Sequence, residues 1–116
     1  MFGRHEITQN RVRDTISFKE GSEKLTLRVD ADPMRLVVGL SQVQKMLKTI
    51  TEETPAQEIA DAAKFFATVI FGEEQASQLM AFYLNDGGCV INVCGKCFRE
   101  FLLKKITKAQ KKAKDE

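Results

Sequence analysis

The 116-residue sequence has few of the side chains from which catalytic sites are usually built. It contains one histidine, His5, and a lone histidine defines neither a general base nor a metal site. It also lacks a G-x-S-x-G turn and a phosphate-binding glycine loop, and its paired acids, Glu52-Glu53 and Glu73-Glu74, suit helix ends better than a catalytic dyad. We therefore expect a protein that is not an enzyme, with no catalytic residues and no cofactor.

Cysteine is also scarce, and the three cysteines are an odd number that cannot all pair within one chain. Cys94 and Cys97 have the C-x-x-C spacing of redox and zinc sites. Only 19 residues follow Cys97, too few to complete a thioredoxin-like domain, and a structural zinc site would need a fourth ligand beyond Cys89, Cys94 and Cys97. We expect buried, reduced thiols and no bound metal, with zinc binding and redox catalysis as the alternatives.

Long apolar runs and a strong net charge are absent as well. No stretch approaches the roughly 20 apolar residues that cross a bilayer, and the first six residues lack the apolar segment of a signal peptide. The sequence has 18 Lys and Arg and 16 Asp and Glu, which gives a formal charge of only +2. Such a small charge creates no overall electrostatic potential that would indicate a nucleic-acid or membrane partner. We expect a cytoplasmic protein without membrane contact.

Along the first half of the chain, the spacing of the apolar residues changes from every second residue, typical of a strand, to the period of a helix. Residues 1–13 are polar apart from isolated residues such as Ile7 and Val12, and they predict a flexible N-terminal arm, with a weak first strand as the alternative. Alternating apolar residues from Thr15 to Val29 around Gly21 predict a β-hairpin. Asp32-Pro33 then predicts the start of a helix with an apolar stripe through Leu36, and Gly39 within it indicates close helix packing.

The second half predicts three further helices. Thr54-Pro55-Ala56-Gln57 predicts a capping box at the start of the second helix, and Gly72 predicts its end. The third helix should end at Asn85-Asp86-Gly87-Gly88, because these residues favour turns. The segment Cys89–Val93 could form a strand, but the apolar spacing that continues to Ile106 favours one long final helix.

These elements predict an α+β fold in which an N-terminal β-hairpin packs on a mainly α-helical body of about four helices. The expected organisation is a flexible arm at 1–13, a single globular domain at 14–106 and a basic C-terminal helix end or tail at 107–116. The tail continues a lysine-rich stretch from Lys104 to Glu116 that carries six lysines and two acids, a net charge of +4.

The segment Phe65-Phe66-Ala67-Thr68-Val69-Ile70-Phe71-Gly72-Glu73-Glu74, followed by Leu79 to Tyr83 and by Cys97 to Phe101, resembles the small tail assembly chaperones of long-tailed phages and prophages. Such proteins join two helices through a Phe-Gly-acidic junction and close the domain with a later helix. The resemblance implies a non-enzymatic protein that binds the helical tape-measure protein until the tail tube forms around it.

Candidate partner-binding residues come from the resembling helices and from the lysine-rich end. The alternative function is a structural component of a phage tail or head-tail junction, or another small oligomeric interaction domain. The expected partner is the tape-measure protein or another phage tail protein, homo-oligomerisation is left open, and nucleic acid is not expected because the lysine-rich end has no aromatic side chains for base stacking. The candidates are Phe66, Ile70, Phe71, Leu79, Phe82, Tyr83, Lys108, Lys111 and Lys112.

Overall fold

The computed structural model describes residues 11–115, except for the side chains of residues 110 and 112–115. The predicted α+β class is confirmed: an N-terminal antiparallel hairpin packs on a helical body. Most of the predicted N-terminal arm, together with His5, lies outside the described residues. The elements are β1 (Val12–Glu20), β2 (Glu23–Ala31), α1 (Pro33–Lys48), α2 (Ala56–Phe71), α3 (Glu73–Phe82), α4 (Gly87–Cys97), a π-helical turn (Phe98–Leu102) and α5 (Leu103–Asp115).

The hairpin is longer than predicted, because β1 begins at Val12 and β2 continues to Ala31. Its register pairs Ile16 with Leu27 and Phe18 with Leu25 around a turn at Gly21, whose φ is +61°. Successive side chains of a strand point to opposite faces, so one face of the ribbon is apolar and packs on the helices while the other is polar. The buried side chains of the inner face are Val12, Ile16, Phe18, Leu27 and Val29.

Helix α1 begins as the sequence predicted. The Asp32 carboxylate accepts a hydrogen bond from the Met34 N–H at 3.0 Å, and Pro33 occupies the first turn. The close packing predicted at Gly39 is also confirmed, since a Cβ there would lie 2.6 Å from Val69 Cγ1 on α2. Glycine thus lets α1 and α2 approach at a distance that alanine would not permit.

The capping box predicted for α2 is wrong. The Thr54 hydroxyl accepts a hydrogen bond from the Thr51 N–H, within the preceding loop, and Gln57 donates to Asp61 one turn further along the helix. The helix begins at Ala56, and the Pro55 carbonyl accepts from Glu58 and Ile59. The loop therefore uses the side chain that the sequence pattern had assigned to the helix.

Gly72 joins α2 to α3, as predicted. Its N–H donates to the Thr68 carbonyl and closes α2, and its carbonyl accepts from Ala76 in the first turn of α3. With φ +87° and ψ 163° it occupies a backbone region that is essentially restricted to glycine. Glu73 and Glu74 follow at the N-terminus of α3, where negative charge is favourable.

The end of α3 differs from the prediction. It is a Schellman motif: the Leu84 N–H donates to the Ala81 carbonyl, the Asn85 N–H donates to the Met80 carbonyl, and Leu84 takes the left-handed position with φ +57°. The glycines predicted to terminate α3 instead belong to the first turn of α4, which Asp86 caps through the Cys89 N–H. A Cβ on Gly87 would lie 2.7 Å from the Ala60 backbone nitrogen, so Gly87 lets α4 contact α2.

The segment Cys89–Val93 is helical, which confirms the preference for a long final helix. Helicity continues from Gly87 through the π-helical turn into α5, and the π-helical turn is a detail the periodicity did not predict. There is no break at residue 107, where the tail was predicted to begin, because Ile106 is buried and Ala109 is partly buried against the body.

Side chains from the helical body occupy hydrogen-bonding groups on both outer edges of the hairpin. On β2, Gln75 accepts from the Arg28 N–H at 2.8 Å and donates to the Arg28 carbonyl at 2.7 Å. On β1, Lys105 donates to the Arg13 carbonyl at 2.7 Å and lies 3.6 Å from the Asp14 carboxylate. These contacts fix the hairpin against α3 and α5.

Candidate protein-binding groove

Most of the apolar residues proposed as partner-binding sites lie in the core. Phe66, Ile70, Phe71, Leu79 and Tyr83 are at most 8% exposed, and Phe82 is half-buried. Aromatic contacts connect this group to the hairpin: the ring of Phe18 lies 5.8 Å from that of Phe71 and 6.5 Å from that of Tyr83, both edge to face. Most of the surface of these side chains therefore packs in the core, where it holds the hairpin on α2 and α3.

The basic candidates lie on α5. Lys108 and Lys111 are exposed, whereas the side chain of Lys112 lies outside the described residues. Exposed lysines contribute little to affinity individually, about 0 to 1 kcal/mol for each ion pair, but they increase the rate at which an acidic partner is found. The structure therefore places Lys108 and Lys111 on the exposed surface of α5, apart from the buried aromatic candidates.

The cysteines are free thiols in an apolar setting. Burial raises the pKa of Cys94 far above its usual range, and burial together with the nearby Asp14 and Glu100 raises the pKa of Cys97 to about 12. A buried, protonated thiol is a weak nucleophile and a poor metal ligand at neutral pH. Among the described residues, no group of three or more His, Cys, Asp or Glu side chains is arranged to hold a metal ion.

An open groove runs between α1 and α2 and reaches the end of the hairpin next to Arg11 and Asp30. Its volume is about 710 Å³, within the usual range for ligand and peptide sites. The groove is largely apolar where the two helices face each other, and α1 contributes two side chains that are unusually exposed, Met34 at 59% and Val38 at 52%. The apolar lining includes Met34, Val38, Phe65, Val69, Ile70 and Phe71.

Charged side chains surround the end of the groove near the hairpin. Arg11 donates one hydrogen bond to the Asp30 carboxylate at 2.5 Å and another to the Asp30 carbonyl at 3.0 Å. The hydrogen bond to the carboxylate is the main cause of the lowered pKa of Asp30. Arg35 on α1 is exposed, while Asp32 is engaged as the helix cap. The groove thus combines apolar side chains with polar ones, of which Gln42 and Thr68 lie between the two helices, and such a mixture is typical of a protein-binding surface.

Sequence reasoning missed Met34 and Val38 because it followed the buried stripe of α1. Both residues lie outside the stripe formed by Leu36, Leu40 and Val43, and they are four residues apart, so they share one flank of the helix. Two apolar residues on the otherwise polar flank of an amphipathic helix are the signal that could have identified this surface.

Comparison of the chain with family models, with curated proteins and with solved structures found no match. Over the part of the chain that the structure describes, no helix combines the length and apolarity required to cross a membrane.

Proposed function

We propose that this chain is a non-enzymatic assembly chaperone, similar to the tail assembly chaperones of long-tailed phages and prophages, that binds a helical tape-measure protein during tail assembly. The single observation that supports this function best is the apolar groove between α1 and α2, with Met34 and Val38 exposed along one wall. The Phe71-Gly72-Glu73-Glu74 junction that carries the family resemblance connects α2, the other wall of the groove, to α3.

The dimensions of the groove suit a helical partner. The groove is lined by residues 34–42 of α1 and 65–71 of α2, so each wall is about 10 to 12 Å long at a rise of 1.5 Å per residue. An amphipathic helix of about two turns can place apolar residues along this length at the i, i+3, i+4 and i+7 positions. Apolar burial contributes about 25 cal/mol per Å² and would supply most of the affinity.

The deciding experiment is co-expression with the cognate tape-measure protein, followed by recovery of the complex. Val38→Glu places a charge in the groove at a position that is already half exposed, so the fold should persist while the recovered complex falls by about tenfold or more. Val37→Glu is the matched control, because Val37 is the adjacent exposed valine of α1 and does not line the groove. This control should keep the complex within about twofold of the unmodified chain.

The proposal fails if the tape-measure protein is equally insoluble with and without this chain. It also fails if the two valine variants reduce recovery equally, because the loss would then not belong to the groove. Permanent incorporation of the chain into finished tails would favour the structural-component alternative.

A further inference from the structure

The outer face of the hairpin is polar and rich in cations. The register places four cations and three hydroxyl side chains on it, and every side chain of this face is exposed. Ser17 and Thr26 are hydrogen-bonded to each other across the strands at 3.1 Å. The face contains no apolar side chain, and its residues are Arg13, Thr15, Ser17, Lys19, Lys24, Thr26, Arg28 and Asp30.

The acids of the hairpin do not neutralise this face. Asp30 is its one acid, and it is already engaged by Arg11 and Arg13. Glu20 and Glu23, next to the turn, alternate with Lys19 and Lys24 and so belong to the opposite face. Among the described residues, Lys19, Lys24 and Arg28 form no ion pair, which leaves three uncompensated cations on one side of the ribbon.

Lys19 and Lys24 are paired directly across the two strands. Like charges at directly opposed positions destabilise a hairpin, and a glutamate at either position would replace the repulsion with an attractive pair. Their presence gives the fold no advantage, but it places two positive charges side by side on the outer face, while Glu20 and Glu23 lie on the opposite face near the turn.

We propose that the outer face of the hairpin binds the phosphate backbone of duplex DNA. A protein partner is disfavoured by the composition of this face, because the centres of protein–protein interfaces are apolar and depleted of lysine. Contacts to phosphate require no apolar centre and are made by Arg, Lys, Ser and Thr side chains. A two-stranded ribbon is also one of the two elements that the major groove of B-DNA admits.

This surface differs from the lysine-rich C-terminal end, on which nucleic-acid binding was not expected. The C-terminal end lacks aromatic side chains, which are needed for stacking on single-stranded bases but not for phosphate contacts on a duplex. The binding predicted here is independent of base sequence. It does not depend on the proposed chaperone function, since the three cations that carry it, Lys19, Lys24 and Arg28, do not line the α1–α2 groove.

The test is fluorescence anisotropy with a labelled duplex of about 20 base pairs of arbitrary sequence, titrated between about 50 and 200 mM salt. We expect a dissociation constant of about 10⁻⁴ to 10⁻⁶ M near physiological salt, the range typical of binding that is independent of sequence. The combined variant Lys19→Gln, Lys24→Gln and Arg28→Gln should fold, because the positions are exposed. It should reduce the slope of log K against log salt by about 2.7, which is 0.9 for each of the three phosphate contacts removed.

Two control variants locate the effect. The first control removes the same charge from exposed positions of α1 and α2 and should retain the salt slope; it combines Lys45→Gln, Lys48→Gln and Lys64→Gln. The second control removes the same charge from exposed positions of α5 and should retain most of the salt slope; it combines Lys104→Gln, Lys108→Gln and Lys111→Gln. The proposal is overturned if no binding occurs at 50 mM salt, if either control loses as much slope as the hairpin variant, or if polyglutamate displaces the duplex at equal charge concentration. The last outcome would indicate an acidic protein partner.

Discussion

The two junctions that flank α3 both connect one helix directly to the next, but they place different residues at positive φ. Between α2 and α3, Gly72 adopts φ +87° and ψ 163°, a conformation that other residues rarely reach. Between α3 and α4, the left-handed positions fall on Leu84 and Asn85 at φ +57° and +61°, although two glycines follow immediately. The second junction therefore retains local strain that glycine would have relieved.

The difference shows that glycine has two separate uses in this protein. At Gly72 it provides a backbone conformation, and no neighbouring atom lies within 4 Å of the position that a Cβ would occupy. At Gly87 it provides space against the backbone of α2, in an ordinary helical conformation. The two uses predict different responses to alanine.

Gly87→Ala should have the largest effect on stability. The new Cβ would lie 2.7 to 2.8 Å from backbone atoms of Ile59 and Ala60, which cannot move aside without displacing α2. We expect a loss of about 3 kcal/mol in the free energy of unfolding, at the upper end of the range for overpacking, measured by urea denaturation. Gly88→Ala is the matched control. Its Cβ would meet only the Asp86 carboxylate at 3.5 Å, so the variant should be neutral or slightly stabilising, and an equal loss at both positions would contradict the packing explanation.

Gly72→Ala should lower the free energy of unfolding by about 2 kcal/mol, through backbone strain alone. Asparagine distinguishes the kind of strain, because it tolerates the left-handed helical region but not the region that Gly72 occupies. Gly72→Asn should therefore be as destabilising as Gly72→Ala, whereas Gly21→Asn at φ +61° should be nearly neutral. Full stability of Gly72→Asn in thermal unfolding would refute the conformation assigned to this junction.

Leu84→Gly should have the smallest effect, with the opposite sign. Leucine in the left-handed region costs about 1 to 2 kcal/mol, part of which the greater backbone freedom of unfolded glycine offsets. Since Leu84 is 89% exposed and loses little packing, the variant should be stabilised by about 0.5 to 1 kcal/mol. Leu103→Gly, an exposed leucine within α5, should be destabilised by about 1 kcal/mol when both are measured by chemical denaturation. A destabilised Leu84→Gly would mean that the leucine makes a contact that stabilises the fold.

The sequence was sufficient wherever one strong local signal had no competitor. The alternating residues of the hairpin and the cap at Asp32 were predicted because each depends on neighbours in sequence or on a simple period. A glycine inside an apolar helical stripe indicated the close approach at Gly39. At Thr54 two hydrogen-bonding partners were available, and the loop amide of Thr51 was preferred to the helix N-terminus. At Leu84 the turn residues gave the location of the junction but not the residue that takes the left-handed conformation.

The candidate site was less predictable for a different reason. Apolar side chains such as Phe66 and Leu79 serve equally well in a core and in an interface, and composition does not separate the two uses. Met34 and Val38 share one flank of α1 already in the sequence, but their place on a groove wall depends on the position of α2. The charge segregation of the hairpin likewise depends on its register, which pairs Lys19 with Lys24.

The side-chain amide of Gln75 has a consequence for how this protein behaves at high concentration. By accepting from the N–H and donating to the carbonyl of Arg28, it presents to β2 the same pair of hydrogen bonds that another strand would offer. An incoming strand would have to displace this amide before it could extend the sheet along β2. The edge of β2 is therefore blocked by a side chain of the same protein, and a single glutamine from α3 opposes edge-to-edge polymerisation through β2.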